Sequence, residues 1–265
     1  MTTVRANSFP LVAVDVGNSR VKLGLFESQP AAGALPVPGR SSTIGAELNQ
    51  GELETWFAPT YLAHPWIIAS VQRKTAARLA EFLKQRGATA VRFLQSQDLP
   101  LRLDVPRPER VGIDRLVNAV AANRLREPHR AAIVISVGSA ITVNAINEHG
   151  IFLGGAILPG IGMSARALHE FTDLLPLSEM TELHDAPEPL GQDTTSALQS
   201  GLFWGAVGAM RELASRIGAQ LPHPHVFLTG GAAPSVSEFL VDATGTPAVY
   251  VPHLTLAGIA LSALA

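Results

Sequence analysis

Cysteine is absent from this chain of 265 residues, which excludes disulfide bonds, thiol catalysis and zinc–thiolate sites. No apolar run approaches the length that spans a bilayer. The first ten residues carry one Arg and no long apolar stretch, so they do not resemble a signal peptide. These absences predict a soluble, cytoplasmic protein that does not bind a membrane.

Charged residues are also scarce, at 16% of the chain, and the formal net charge is only −2. No long basic run is present, which argues against a dedicated nucleic-acid surface but leaves room for a small basic cleft that binds an anion. Hydrophobic residues make up 47%, enough for a sizeable core. The length suits one large domain or two of ordinary size.

Strand patterns and helix patterns alternate along both halves of the chain, which predicts an α/β protein. Each half starts with a strand, a turn and a second strand, at residues 11–26 and 131–147. The polar segment 126–130 separates the halves. We therefore predict an N-terminal domain over residues 10–126 and a C-terminal domain over residues 130–265.

The first of these turns has the sequence Asp-Val-Gly-Asn-Ser. Gly17 permits a tight turn whose exposed amides form a concave anion site, and Asn18 and Ser19 add hydrogen-bonding groups for phosphate oxygens. Asp15, at the strand end, would hold Mg²⁺ directly or through water. The alternative is an ordinary hairpin with a solvated Asp and Asn. Lys22 lacks the Gly-rich loop and helix of a phosphate-binding lysine, so we predict a solvated strand residue.

A second candidate site lies in the predicted helix at residues 111–125. Asp114 and Asn118 are four residues apart and share one side of the helix with Arg115, just after Gly112. Together they offer a base, an amide and a cation, as phosphoryl transfer to a hydroxyl requires. The alternative is a solvated helix face whose N-terminal Asp is favoured by the helix dipole.

The second hairpin, Ile133–Val143, is a weaker copy of the first, in which Ser136 takes the place of Asp15. Its hydroxyl groups suit a turn that binds phosphate or a cation. They are equally consistent with a hairpin that carries polar side chains and binds no ligand. Gly-Gly pairs at 154–155 and 230–231 follow strands. Such pairs let the backbone approach a ligand closely, or simply turn the chain.

Six motifs, taken in order, resemble those of the type III pantothenate kinases, a family that also takes in the Bvg accessory factor proteins. Each motif alone is weak, but their order and spacing are specific, and the resemblance runs from about Val12 to Gly258. The motifs are Asp-x-Gly-Asn-Ser, Gly-x-Asp-Arg-x-x-Asn, Gly-Ser-Ala-x-Thr, Gly-Gly-x-Ile-x-Pro-Gly, Asp-Thr-x-x-Ala-x-x-Ser-Gly and Thr-Gly-Gly-x-Ala.

The resemblance implies the fold of the superfamily that holds acetate kinase, sugar kinases, actin and the heat-shock chaperone ATPases. In that fold two ribonuclease-H-like α/β domains flank an active site in the cleft between them. The implied reaction is phosphorylation of pantothenate by ATP to 4′-phosphopantothenate, the first step of coenzyme A biosynthesis. The resemblance also implies a homodimer, Mg²⁺, and activation by a monovalent cation, K⁺ or NH₄⁺.

The same resemblance assigns expected roles to individual residues. Asp114 matches the general base that acts on the pantothenate hydroxyl. Arg115, beside Gly112, matches the residue that meets the pantothenate carboxylate, and Thr194 matches a contact from the partner subunit. Val105 falls near the place of a Tyr that lines the pocket. The residues expected to bind ATP phosphates, the metal or the nucleotide are Asp15, Gly17, Asn18, Ser19, Gly138, Ser139, Thr142, Gly230 and Gly231.

Two residues depart from the family pattern. Ser136 and Asn144 stand where the family has carboxylates, the first of which helps hold the monovalent cation. A hydroxyl supplies an oxygen without charge, so weaker cation binding is expected. These departures leave two other hypotheses open: a weakly catalytic or non-catalytic homologue with a regulatory or accessory role, and a kinase for another small hydroxyl compound.

Overall fold

The computed structural model describes residues 9–178, 186–241, 245 and 247–264. The strands of these residues are β1 (Leu11–Val16), β2 (Arg20–Phe26), β3 (Arg40–Gly45), β4 (Pro65–Ser70), β5 (Ala90–Phe93), β6 (Arg102–Leu103), β7 (Ala132–Val137), β8 (Ala140–Ile146), β9 (Ile151–Pro159), β10 (His225–Thr229) and β11 (Val249–Tyr250). The helices are α1 (Gln50–Glu54), α2 (Pro59–Leu62), α3 (Arg73–Gln85), α4 (Ile113–Leu125), α5 (Ile161–Glu170), α6 (Thr194–Gly218), α7 (Ala233–Val236) and α8 (Leu254–Ser262). Short 3₁₀ helices lie at Ser96–Asp98, Pro108–Arg110 and Ser237–Phe239.

The chain divides into two compact units. The first unit holds the described residues up to Leu125 together with those from His253 onward, and the second holds Arg126–Pro252. The boundary after Leu125 lies at the start of the polar segment 126–130, where the sequence predicted a division. The domain predicted over residues 130–265 includes α8, which lies in the first unit in the structure.

The first unit is built on a five-stranded mixed sheet with the order β3-β2-β1-β4-β5. β1 and β2 form an antiparallel hairpin, and β3 pairs antiparallel with β2. β4 and β5 continue the sheet in parallel with β1. Every residue of β1 is buried, which shows that both faces of the sheet are covered.

Alternation along β1 sends its side chains to two different environments. Val12, Val14 and Val16 join the core that contains Leu79 and Leu83 of α3. α8 packs against β1 and β2, and Leu256 of α8 lies where a side chain on Gly24 would reach. Asp15 alternates with Val14 and Val16 and therefore lies on the face opposite the α3 core.

The five strands of the second unit have the order β9-β8-β7-β10-β11. Numbered along the chain within each unit, the five strands follow the same order in both sheets: third, second, first, fourth and fifth. The strand directions also agree, because β7, β8 and β9 are antiparallel and β10 and β11 run parallel to β7. The duplicated α/β unit expected from the two hairpins is therefore confirmed.

The long helix α6 supplies one face of the core of the second unit. Its buried residues Phe203, Val207 and Met210 recur every three to four positions and pack with Ile133 and Ile135 of β7. The first turn of α6, which contains Thr194, is exposed at the surface.

Candidate active site

The turn after β1 is closed by its own backbone. The Gly17 amide donates to the Arg20 carbonyl at 3.0 Å, and a Cβ on Gly17 would lie 3.1 Å from that oxygen. Asn18 and Ser19 follow with exposed side chains. The turn therefore presents polar groups at the end of a buried strand, as an anion-binding turn requires.

Asp15 is the one buried acid of this turn, with 8% of its surface exposed. Its Oδ2 lies 3.5 Å from Lys22 Nζ. Burial raises the pKa of Asp15 above its usual value, Lys22 opposes that shift, and the negative charge of Asp114 adds to it. The two predicted acids of the first unit are therefore close enough to interact.

Asp114 lies in the first turn of α4, directly after Gly112. Its Oδ1 would be only 2.5 Å from a Cβ on Gly112, and Val71 Cγ1 would be 3.6 Å away. Any larger residue at position 112 would displace the Asp114 carboxylate. The pairing of Gly112 with Asp114 in the sequence thus has a direct steric cause.

Arg115 and Val105 are the other first-unit residues predicted to contact substrate. Arg115 is half-buried, and desolvation lowers the pKa of its guanidinium while Asp114 raises it. Val105 is half-buried in the connector between β6 and the 3₁₀ helix Pro108–Arg110. The structure thus brings Asp15, Asp114, Arg115 and Gly112 into one region, whereas Val105 lies on the connector that precedes α4.

The hairpin of the second unit repeats the first with neutral groups. Ser136 of β7 is paired with Thr142 of β8, at the position where Asp15 is paired with Lys22, and Thr229 of β10 flanks Ser136 on the other side. Asn144 is fully buried, and its Nδ2 donates to Thr142 Oγ1 at 3.0 Å. A charged pair in one hairpin therefore corresponds to a layer of hydroxyl and amide groups in the other.

Glycines allow close backbone contacts around the second turn. The Gly160 amide donates to the Ser139 carbonyl at 3.0 Å, and a Cβ on Gly160 would overlap that oxygen and the carbonyl of Gly138. Gly230 has a φ of 108°, and a Cβ there would overlap the backbone of Val137. Gly231 follows, exposed. Gly138, Ser139, Gly230 and Gly231 are thereby gathered at the end of β7.

Thr194 is held at the first position of α6 by a capping box. The Ser196 amide donates to Asp193 Oδ1 at 2.8 Å, and the Asp193 amide donates to Ser196 Oγ at 3.1 Å. Hydrogen bonds from the Ser196 amide and the Ser196 side chain to the carboxylate lower the pKa of Asp193. A Cβ on Gly191 would overlap the backbone of Ala197, so the Gly-Gln-Asp-Thr segment must pass tightly over the first helical turn.

Two further residues of the first unit, Lys22 and His253, received no site role from the sequence. Lys22, predicted to be solvated, forms the ion pair with Asp15. His253 precedes α8 with a φ of 59°, and the pKa of its ring is lowered, mainly by burial and then by Lys22. The register of the β1–β2 hairpin could have identified Lys22, because a short turn pairs it directly with Asp15.

The donor set around Asp15 fits a hard cation that keeps part of its water shell. Two carboxylates, of Asp15 and Asp114, lie in this region, and such groups are ligands of Mg²⁺. Across the residues that the structure covers, no group of three or more His, Asp or Glu side chains could hold a metal ion by itself. Water or a bound phosphate would therefore have to complete the coordination.

Among the helices described, none is long and apolar enough to cross a membrane.

Several solved structures share the fold of this chain. A Baf family protein from Campylobacter jejuni aligns with a TM-score of 0.57 at 18% identity, covering 94% of each chain. A protein from Sinorhizobium meliloti described as a 2-dehydro-3-deoxygalactonokinase aligns at 0.56 and 15% identity, covering 96% of this chain and 97% of its own. MreB 5 of Spiroplasma citri, bound to AMPPNP, aligns at 0.50 and 9% identity, covering 94% of each. The chain therefore has the predicted two-domain α/β fold, which these three proteins share.

Sequence comparison identifies the family of this chain. The sequence profile of type III pantothenate kinases matches residues 11–216. A type III pantothenate kinase of Dehalococcoides mccartyi is 35% identical, covering 86% of this chain and 87% of its own length. One from Saccharopolyspora erythraea is 31% identical over 95% of this chain and 97% of its own. The chain belongs to the type III pantothenate kinase family.

Proposed function

We propose that this protein transfers the γ-phosphate of ATP to the primary hydroxyl of pantothenate, giving 4′-phosphopantothenate for coenzyme A biosynthesis. One observation carries the proposal within the molecule: Asp15 is buried at the end of β1, paired with Lys22 beside a phosphate-type turn, and the charge of Asp114 raises its pKa. Membership of the family supports the same reaction. A buried acid that meets a second acid is typical of a catalytic site.

In the proposed reaction Asp114 orients the pantothenate hydroxyl and accepts its proton as the oxygen attacks the γ-phosphorus. The bond from that phosphorus to the oxygen bridging it to the β-phosphate breaks, and ADP leaves. Arg115 attracts the pantothenate carboxylate, Gly112 leaves space for Asp114, and Val105 borders the substrate. Most of the rate enhancement would come from positioning and electrostatics.

Phosphate groups are proposed to bind at the two turns. At the first turn the proposed binding groups are the amides and side chains of Gly17, Asn18 and Ser19, with Asp15 of β1 and Lys22 of β2. At the second turn they are Gly138 and Ser139, with Thr142 of β8, and Gly230 and Gly231 border the nucleotide. Mg²⁺ held by Asp15 through oxygen ligands would neutralise negative charge on the phosphates.

A coupled assay with ATP, pantothenate and Mg²⁺ tests the proposal. We expect phosphopantothenate and ADP in equal amounts. ATP binding without turnover would favour the regulatory homologue instead. Turnover with another small alcohol but not with pantothenate would favour a different substrate.

We further propose a cytoplasmic location and, because the net charge is −2, no nucleic-acid partner.

We propose that a monovalent cation, K⁺ or NH₄⁺, acts only weakly on this chain, because Ser136 offers a hydroxyl where a carboxylate would attract it. Ser136→Asp should lower the K⁺ concentration for half-maximal activation by roughly tenfold, since a nearby carboxylate adds on the order of 1–4 kcal/mol of attraction. Activity measured across K⁺ concentrations checks this. Ser41→Asp, on the exposed edge strand β3, is the control. An unchanged response to K⁺ in Ser136→Asp would refute the account.

We also propose a homodimer in which Thr194 of one subunit contacts pantothenate bound to the other. Large apolar side chains exposed in the second unit support it: Phe171 is 81% exposed and Leu174 86%. The two side chains are three residues apart in the chain, and neighbouring exposed apolar groups that form one patch commonly mark an interface. Thr194 is likewise exposed at the start of α6.

Leu174→Glu is predicted to weaken dimerisation by about tenfold or more, because a charge would be desolvated in the interface. Sedimentation measured over a range of protein concentrations gives the dissociation constant. The pantothenate KM should rise in parallel, since Thr194 would come from the partner. Val37→Glu is the matched control, because Val37 is 79% exposed in the first unit. Equal dissociation constants for the two variants would contradict the proposed surface.

A further inference from the structure

Asn118 is a buried amide whose hydrogen bonding is incomplete. It lies in α4 with 3% of its surface exposed, and no described residue hydrogen-bonds its Oδ1. Leu116, Val117, Ala119 and Val120 around it are buried and apolar. A buried acceptor without a donor is unfavourable, and in native proteins it commonly marks an ordered water or a bound group.

The position of Asn118 on the helix relates it to Asp114. The two residues are four apart, which places them one turn apart on the same side of α4, with Cβ atoms about 5–6 Å from each other. The Asp114 carboxylate turns back toward Gly112 and interacts with Asp15. When ionised, a carboxylate accepts hydrogen bonds but donates none. Two acceptors are therefore adjacent, and a shared donor would satisfy both.

A water molecule can donate the hydrogen bonds that these two acceptors lack. It donates two hydrogen bonds, and an ordered buried water requires at least two polar partners. A single side-chain hydroxyl donates only one hydrogen bond. Water therefore suits two acceptors that lie one helical turn apart.

We propose that Asn118 is a positioning residue for Asp114, acting through one buried water that donates to Asn118 Oδ1 and to the Asp114 carboxylate. This inference rests on the proposed role of Asp114 as the proton acceptor. The water holds the carboxylate in one orientation toward the substrate hydroxyl. Asn118 itself touches neither substrate nor the transferred phosphoryl group.

Two substitutions separate this role from simple packing. Asn118→Ala and Asn118→Ser leave similar cavities, but only serine retains an oxygen that can accept from the water. We expect Asn118→Ala to lower kcat by roughly tenfold to a hundredfold, as for a misplaced reacting group, with KM for ATP and pantothenate nearly unchanged. Asn118→Ser should recover a large part of the lost kcat. Asn123→Ala removes an amide further along the same helix, more than one turn beyond Asn118, and should leave kcat within about twofold of wild type.

The outcomes distinguish the inference from the proposed function. Wild-type turnover of pantothenate is measured first, and its absence refutes the proposed function. With turnover established, equal kcat values for the alanine and serine variants, or a loss confined to KM, would overturn the role of Asn118. A high-resolution crystal structure of the wild-type protein gives a readout independent of activity. A water bonded to both Asn118 and Asp114 supports the proposal, and a cation or a protein donor at that place overturns it.

Discussion

Asp114→Asn is expected to lower kcat for pantothenate phosphorylation by about 10²–10⁴-fold, the usual contribution of a positioned general base. The amide keeps the size of the carboxylate but cannot take up the proton of the attacking hydroxyl. KM for ATP should change little, because Asp114 is assigned to the hydroxyl rather than to the nucleotide. Steady-state kinetics with each substrate varied in turn give both constants.

The control for this substitution is Glu109→Gln, which removes an exposed carboxylate from the 3₁₀ helix just before α4. It should leave kcat near the wild-type value. If Asp114→Asn keeps more than a tenth of wild-type kcat while Glu109→Gln is unaffected, proton acceptance by Asp114 is not what limits the reaction. Asp114→Asn should also lower the pKa of Asp15, because the nearby charge that raises it is removed.

Gly258→Ala is expected to cause the largest loss of stability among the substitutions considered. A Cβ on Gly258 would overlap the carbonyl oxygen and carbon of Val117, so α4 and α8 could no longer pack this closely. Overpacking of this kind costs about 1–3 kcal/mol of unfolding free energy, or more where backbone must move. Thermal and denaturant unfolding measure the loss, at roughly 2–4 °C of Tm for each kcal/mol.

Gly162→Ala is the matched comparison, because Gly162 also lies in a helix but a Cβ added there would meet nothing within 4 Å. Alanine is favoured over glycine in helices by about 0.5–1 kcal/mol, so this variant should be neutral or stabilised. Similar unfolding free energies for the two variants would show that the α4–α8 contact relaxes without cost. Gly258→Ala should also reduce kcat, because Val117 and Asp114 share α4.

The sequence alone predicted the duplicated hairpins, since a strand, a glycine turn and a second strand leave a local pattern. It also predicted Asp114 on a helix after Gly112, and the structure supplies the reason in the carboxylate that fills the space over the glycine. The ion pair of Lys22 with Asp15 was missed, because Lys22 was compared with a different kind of phosphate loop. Side-chain partners across a hairpin depend on register, which turn length sets and motif matching ignores.

The last helix shows a different limit of sequence reasoning. Nearly all residues of α8 are buried, so its sequence has no polar side and no helical period that would reveal the helix. Its place in the first unit is a long-range property, since the residues it covers lie at the other end of the chain. The incomplete hydrogen bonding of Asn118 was equally invisible, because it depends on what surrounds α4 in three dimensions.

The discontinuous first unit has a consequence for biosynthesis. Its sheet and α4 leave the ribosome early, but α8, which covers β1 and β2, emerges only after the entire second unit has been translated. At a translation rate of roughly 5–20 residues per second, the apolar surface that α8 covers remains exposed for on the order of ten seconds before α8 is synthesised. Nascent chains of this protein are therefore expected to depend on chaperones during that interval, and a premature stop before His253 should yield aggregation rather than a folded fragment.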